Sequence, residues 1–259
     1  GVEHMRMMRE QGLRIDVLDA DGCARVEPTL GQVKHRIAGA IHCPDDESGD
    51  CAKFTVGLAD GRIKTRRVFA RPGDYEGLCR VDDAWFVLRS DGQLQELHDD
   101  AGRLRVRGSW RLPWPHSDWE GLCHDPVGRR LLLAAKDVTG KGKQVRDQRY
   151  LFAFDLATRA PVPEAVLTVS VERLVEQAQA LGVAVPTKVT ERGKERIDLH
   201  LLWSEIAVAA DGGYVLLSAE DHALLVVDRQ GKLRSLQFLD AAALPQPEGL
   251  AFLPDGRLL

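Results

Sequence analysis

The chain has 259 residues, of which 44% are apolar and 29% charged, with a formal net charge of -4 at neutral pH. That length suits one large all-β domain or two small ones, and the apolar share is enough to bury a core. The negative balance and the absence of a basic run interleaved with aromatics exclude nucleic acid as a partner, and no apolar stretch approaches the roughly 20 residues of a membrane-spanning helix.

In chain order, the first 59 residues show no internal repeat. Residues 1–12 carry Met, Arg and Glu at helical density; a strand follows over Arg14–Leu18, then a turn at Asp19-Ala20-Asp21-Gly22 and a strand over Ile37–His42. Five cysteines, Cys23, Cys43, Cys51, Cys79 and Cys123, are an odd number without a Cys-x-x-Cys pair and read as reduced thiols. The chain opens without a charged-then-apolar leader and closes on Pro254-Asp255-Gly256-Arg257-Leu258-Leu259, a hairpin whose return strand has barely begun, so both ends read as cut.

From Asp60-Gly61-Arg62-Ile63, itself a hairpin signal, the pattern changes. Asp74-Tyr75-Glu76-Gly77-Leu78-Cys79 recurs as Asp118-Trp119-Glu120-Gly121-Leu122-Cys123, then as Trp203-Ser204-Glu205-Ile206-Ala207 and Pro247-Glu248-Gly249-Leu250-Ala251. The four Glu residues lie 44, 85 and 43 apart, and a four-stranded propeller blade takes about 40–50 residues. Short β-rich runs fill the intervals: Trp85–Leu88, Leu94–Leu97 and Leu104–Trp110 after Glu76, and Tyr214–Leu217, Leu224–Val227 and Leu233–Phe238 after Glu205. In the wide interval, Leu131–Ala135, Tyr150–Leu156 and Glu164–Val169 complete the unit begun at Glu120. A helix follows, capped by Ser170 and stopped by Gly182, with Val171, Leu174, Val175, Ala178 and Leu181 on one face. Val138–Asp147 reads as an exposed hairpin loop and Lys188–Asp198 as a charged connector. The expected fold is therefore mainly β: an incomplete β-propeller of four-stranded antiparallel blades with a helical insertion over residues 60–259, preceded by a small αβ fragment over residues 1–59.

Rotation from blade to blade aims Glu76, Glu120, Glu205 and Glu248 at one axis, where like charges need a cation, a proton or basic partners. Ca²⁺ suits such a site because it accepts several oxygen ligands in loose geometry, and Asp74 and Asp118 add oxygens. Arg89 and Lys136, on the following strands, are alternative neutralising partners. In a third arrangement each Glu accepts backbone N–H groups at the start of its blade and ties neighbouring blades together; all three stay open. His116, His124, His200 and His222 lack metal-ligand spacing, and Trp85, Trp114, Trp119 and Trp203 are expected to pack between blades. No Gly-x-Ser-x-Gly elbow is present.

The ordered motifs Asp74–Leu78, Val87–Gly92, Asp118–Leu122, Leu131–Asp137 and Gln246–Phe252 resemble the SdiA-regulated family of bacterial β-propellers and, more distantly, the esterase-like phytase propellers. The first resemblance implies a non-enzymatic or weakly enzymatic binding module of the cell envelope or periplasm, with a cation or small molecule at its axis. The second implies a Ca²⁺-dependent phosphoester hydrolase. In the N-terminal segment, Val17-Leu18-Asp19, Val26-Glu27-Pro28 and Asp46–Cys51 resemble an internal piece of the small subunit of FAD-dependent D-amino-acid dehydrogenases. The Gly-x-Gly-x-x-Gly fingerprint that would hold the flavin pyrophosphate is absent, so the chain carries no complete FAD site. The abutting segments read as a chimeric or fragmentary frame.

Overall fold

The computed structural model describes residues 16–26, 34–35, 40–42, 53–55, 58–59, 62–63, 66–69, 73–136, 138–252 and 258. The chain divides into two compact units, residues 1–50 and 51–259. In the first, β1 (Asp16–Leu18) leads into helix α1 (Ala20–Val26) and pairs antiparallel with β2 (Ala40–His42). The turn expected at Asp19–Gly22 is instead the start of α1. Asp19 Oδ1 accepts from the Gly22 N–H at 2.7 Å and its carbonyl from the Cys23 N–H at 2.9 Å, so a turn-forming Asp has become a helix cap. The helix expected over residues 1–12, and Cys43 and Cys51, lie outside the described residues.

The second unit opens with a nested pair of short ladders. β3 (Lys53–Thr55) pairs with β6 (Arg66–Val68), and inside them β4 (Leu58–Ala59) pairs with β5 (Arg62–Ile63). Three larger antiparallel sheets follow. The first is β7 (Tyr75–Val81), β8 (Ala84–Arg89), β9 (Gln93–Asp100) and β10 (Arg103–Arg111), paired in chain order. The second begins with β11 (Trp119–Asp125) and β12 (Arg130–Ala135), passes through a short helix α2 (Lys143–Asp147), and continues as β13 (Gln148–Asp155). Its outer position is split between β14 (Ala160–Pro161) and β15 (Leu167–Ser170), which both pair with β13 and make a five-stranded sheet. Helix α3 (Val171–Ala180) and a small ladder of β16 (Thr187–Val189) with β17 (Glu195–Ile197) then lead to the third sheet. That sheet is β18 (Glu205–Val208), β19 (Tyr214–Ser218), β20 (Ala223–Val227) and β21 (Leu233–Phe238).

The protein is thus mainly β, in antiparallel four- and five-stranded sheets with few helices. α3 lies where the sequence puts it, with Ser170 Oγ accepting from the Arg173 N–H at 3.1 Å and Leu174, Val175 and Ala178 buried. Two expectations are refined: the Val138–Asp147 loop contains α2, and the Lys188–Asp198 connector contains most of the β16–β17 ladder. No described helix is long and apolar enough to cross a membrane.

Of the three apolar clusters among the described residues, two join one large sheet to the next, and the third, around Tyr75, Val87 and Leu97, lies on the first sheet. Phe86, Leu88 and Leu94 of the first sheet pack with Trp119, Leu131, Leu133 and Phe154 of the second. Leu132, Ala134 and Leu151 of the second pack with Ile206, Leu216 and Leu225 of the third, together with the buried face of α3. Trp119 and Trp203 are wholly buried, and the Trp114 ring lies 4.5 Å from that of Phe152. Cys23, Cys79 and Cys123 are free thiols.

Candidate functional site

The first strands of the three large sheets, β7, β11 and β18, lie side by side. In β7 the ladder steps from Tyr75 opposite Arg89 to Gly77 opposite Leu88; in β11 it steps from Trp119 opposite Ala135 to Gly121 opposite Ala134. Glu76 and Glu120 are the extra residues at these bulges, and a bulge re-aims a side chain out of the ladder. The glycine after each admits the next strand. A Cβ at Gly77 would lie 2.5 Å from Leu122 Cβ, and one at Gly121 would lie 3.1 Å from Ala134 Cβ and 3.3 Å from the Ile206 nitrogen. β18 has Ile206 in place of glycine and no bulge, so Glu205 pairs directly with Leu217.

Each acidic residue consequently meets a different environment. Glu76 is exposed as a residue and shares a hydrogen bond with Asp74. Partial burial of its carboxyl, that bond and the charges of Glu120, Asp74 and Glu248 push it up to about 7. Asp74 is held below its ordinary value, chiefly by the Ser90 hydroxyl, which donates to Oδ2 at 2.6 Å, and then by Glu76. Glu120 is buried; burial pushes its carboxyl up against the opposing ion pair with Lys136 Nζ at 3.0 Å. Burial acts to lower the Lys136 ammonium, but Glu120 outweighs it and holds the group above its usual value. Asp118 accepts the Lys136 N–H through its backbone carbonyl at 2.8 Å and adds negative charge beside Glu120. Arg89 pairs with Asp91 at 3.1 Å and lies over the Tyr75 ring, leaving its buried Nε without a partner among the described residues. Glu248 is exposed in coil, where Gln246 Nε2 donates to it at 2.6 Å. Glu205 is buried, and its Oε1 accepts from the Leu122 N–H at 3.1 Å and the Ile206 N–H at 2.9 Å. Burial raises it to about 8 despite those two donors.

Two of the three arrangements left open by the sequence are each found at one residue, a basic partner at Glu120 and a backbone cap between sheets at Glu205, while Glu76 shares a hydrogen bond with Asp74. Among the described residues no group of three or more His, Cys, Asp or Glu side chains is placed to hold a metal ion. At the far end of β11 the structure adds a contact that the sequence did not reveal. Wholly buried Asp125 takes two hydrogen bonds from Arg229 at 2.7 and 3.0 Å, one from Arg130 Nε at 3.1 Å and one from the Gly128 N–H at 3.1 Å. Burial alone would raise this carboxyl, but these donors hold it down at about 2. Asp125 and Arg229 are 104 residues apart, with no motif linking them.

No protein-family model matches the chain, so the family resemblances rest on the quoted motifs alone. Among solved structures, the chain is similar to a protein of unknown function from Bacteroides caccae, at 11% identity and a TM-score of 0.44. That match covers 85% of this chain and 59% of the other, so the chain spans about three-fifths of that protein's length. It is also similar to Myxococcus xanthus glutaminyl cyclase, at 16% identity and a TM-score of 0.46, over 78% of this chain and 73% of the other.

Proposed function

We propose that residues 60–259 are blades of a β-propeller of the SdiA-regulated type, a binding module that takes a cation among Glu76, Glu120 and Glu248. One observation carries this reading: carboxyls from three repeats lie near enough for the charge of one to be felt at another. The charges of Glu120 and Glu248 push on Glu76, and that of Glu248 pushes on Glu120 and supports the Lys136 ammonium. Burial and neighbouring negative charge raise the Glu76 carboxyl, a cation at that place would supply the compensating charge and displace its proton, and Ca²⁺ accepts an irregular set of oxygens. Glu205 is outside this ligand set because its Oε1 already accepts two backbone N–H groups. As they stand the three side chains do not form a ligand group, so binding requires them to swing together and Lys136 to release Glu120, which makes it compete with that ion pair.

The test is thermal unfolding at pH 7.5 with and without CaCl₂, alongside proton release on adding Ca²⁺ in weak buffer. A ligand at about 100 times its Kd stabilises by about 2.7 kcal/mol, roughly 5–10 °C for a domain of this size. Glu120→Gln and Glu76→Gln should each shrink that rise. A melting curve unmoved by Ca²⁺, with no protons released, would leave these residues a structural role only.

A further inference from the structure

At the opposite end of β11 from Glu120, a cleft of about 350 Å³ opens between the first and second sheets. That volume falls within the about 300–1,000 Å³ of small-molecule sites. Its polar centre is Glu96, whose side chain is only 8% exposed. One Glu96 oxygen pairs with His98 Nε2 at 2.9 Å and the other with Arg159 Nη1 at 3.0 Å, while the Arg159 guanidinium lies 5.6 Å from the Phe86 ring centroid. The network fixes a charge-balanced, partly aromatic floor.

The rims differ from the floor. On one side the β7–β8 turn brings Asp82 and Asp83; on the other come His124 and Arg129 from β11 and the turn after it. None of these four forms a salt bridge among the described residues, although Arg129 lies close enough for its charge to act on Asp155. Two arginines facing three carboxylates give a plain anion such as phosphate no net attraction. Asp82, Arg129 and Arg159 stand in the tight turns that rim the cleft, with the left-handed φ values of 54°, 51° and 54° that such turns use.

We propose that this cleft binds a small zwitterion, a free amino acid or dipeptide, with its carboxylate at Arg129 and His124, its ammonium at Asp82 and Asp83, and its apolar part against the partly exposed Val81 and Leu156. The site is separate from the carboxyl cluster at Glu76 and does not depend on that reading. Calorimetric titration of the full chain with L-leucine and L-alanyl-L-leucine tests it, with 4-methylpentanoate, isoamylamine and inorganic phosphate as probes that carry charge of one sign only. At least one zwitterion should bind, and each one-sign probe should bind roughly tenfold more weakly or worse, the loss of one charge-assisted contact. Arg129→Gln and the double change Asp82→Asn, Asp83→Asn should each weaken the zwitterion by roughly the same factor, while leaving the melting temperature in place to show that the fold persists. Equal binding of 4-methylpentanoate or isoamylamine would overturn the two-ended assignment. Silence from both zwitterions, or binding that neither variant weakens, would overturn the site.

Discussion

Glu76, Glu120 and Glu205 occupy one motif position in three repeats, and a single backbone feature separates their roles. Where glycine follows, a bulge takes the residue out of the ladder, leaving Glu76 exposed and Glu120 buried beside Lys136; where Ile206 follows, Glu205 stays in the ladder and is buried against backbone N–H groups. Burial without a cation partner has a pH signature. The Glu205 carboxyl lies near 8 in the folded protein against about 4.5 unfolded, so the folded state holds the proton more tightly. Stability should therefore fall as pH rises from about 4.5 through 8. Glu205→Gln keeps an acceptor for the Leu122 and Ile206 N–H groups and removes the titration, so urea unfolding at pH 5 and pH 9 should show this decline flattened. A decline as steep as that of the unaltered chain would contradict the assignment. Asp125 has the opposite sign: its contribution is present above about 3.8 and is lost as pH falls through about 2. Asp125→Asn should cost roughly 3 kcal/mol at neutral pH by leaving Arg229 and Arg130 without their carboxylate. The repeated Glu was legible because its motif is six residues long; the Asp125 clamp was not, because its halves meet only after two sheets have packed.

At the scale of strands and helices, the glycines of the repeat mark where one sheet presses on the next. Gly77→Ala would drive a methyl group into Leu122 and should cost about 1–3 kcal/mol in urea unfolding, as overpacking does. Gly249→Ala, with no atom of the described residues within 4 Å of its Cβ, is the control and should leave the midpoint where it is. Equal effects at the two positions would mean that the close approach of β7 and β11 has no energetic weight. α3 could be read from sequence because Ser170, the apolar spacing and Gly182 all agree. α2 could not: it has five residues and no side-chain cap, too short for a periodic signal. The bulges were equally invisible, since a register step leaves the alternation of residue types almost unchanged.

For the molecule as a whole, a repeat near 43 residues was enough to give a mainly β protein with successive antiparallel sheets. The split outer edge of the second sheet was beyond it, because β14 and β15 both answer to β13 and neither has a full strand's length. The two compact units differ greatly in size, and a unit of fifty residues buries too small a share of its surface to be strongly stable alone. Limited proteolysis should therefore cut within residues 1–50 before it cuts the sheets of residues 73–252. First cleavage within those sheets would show that the small unit has a stability its size does not explain.

In the three large sheets, nearly every ladder joins strands that follow one another in the chain, β15 reaching back past β14 being the exception. Such an arrangement suits synthesis from one end. The hairpins of β7–β10 can close while β11 is still inside the ribosome, because each needs only a short loop to form. The finished sheet then offers a template to what emerges next: the Trp119 N–H docks on the Ser90 carbonyl at 2.9 Å. Glu205, made more than eighty residues after Leu122, arrives last and latches the third sheet onto a surface already in place.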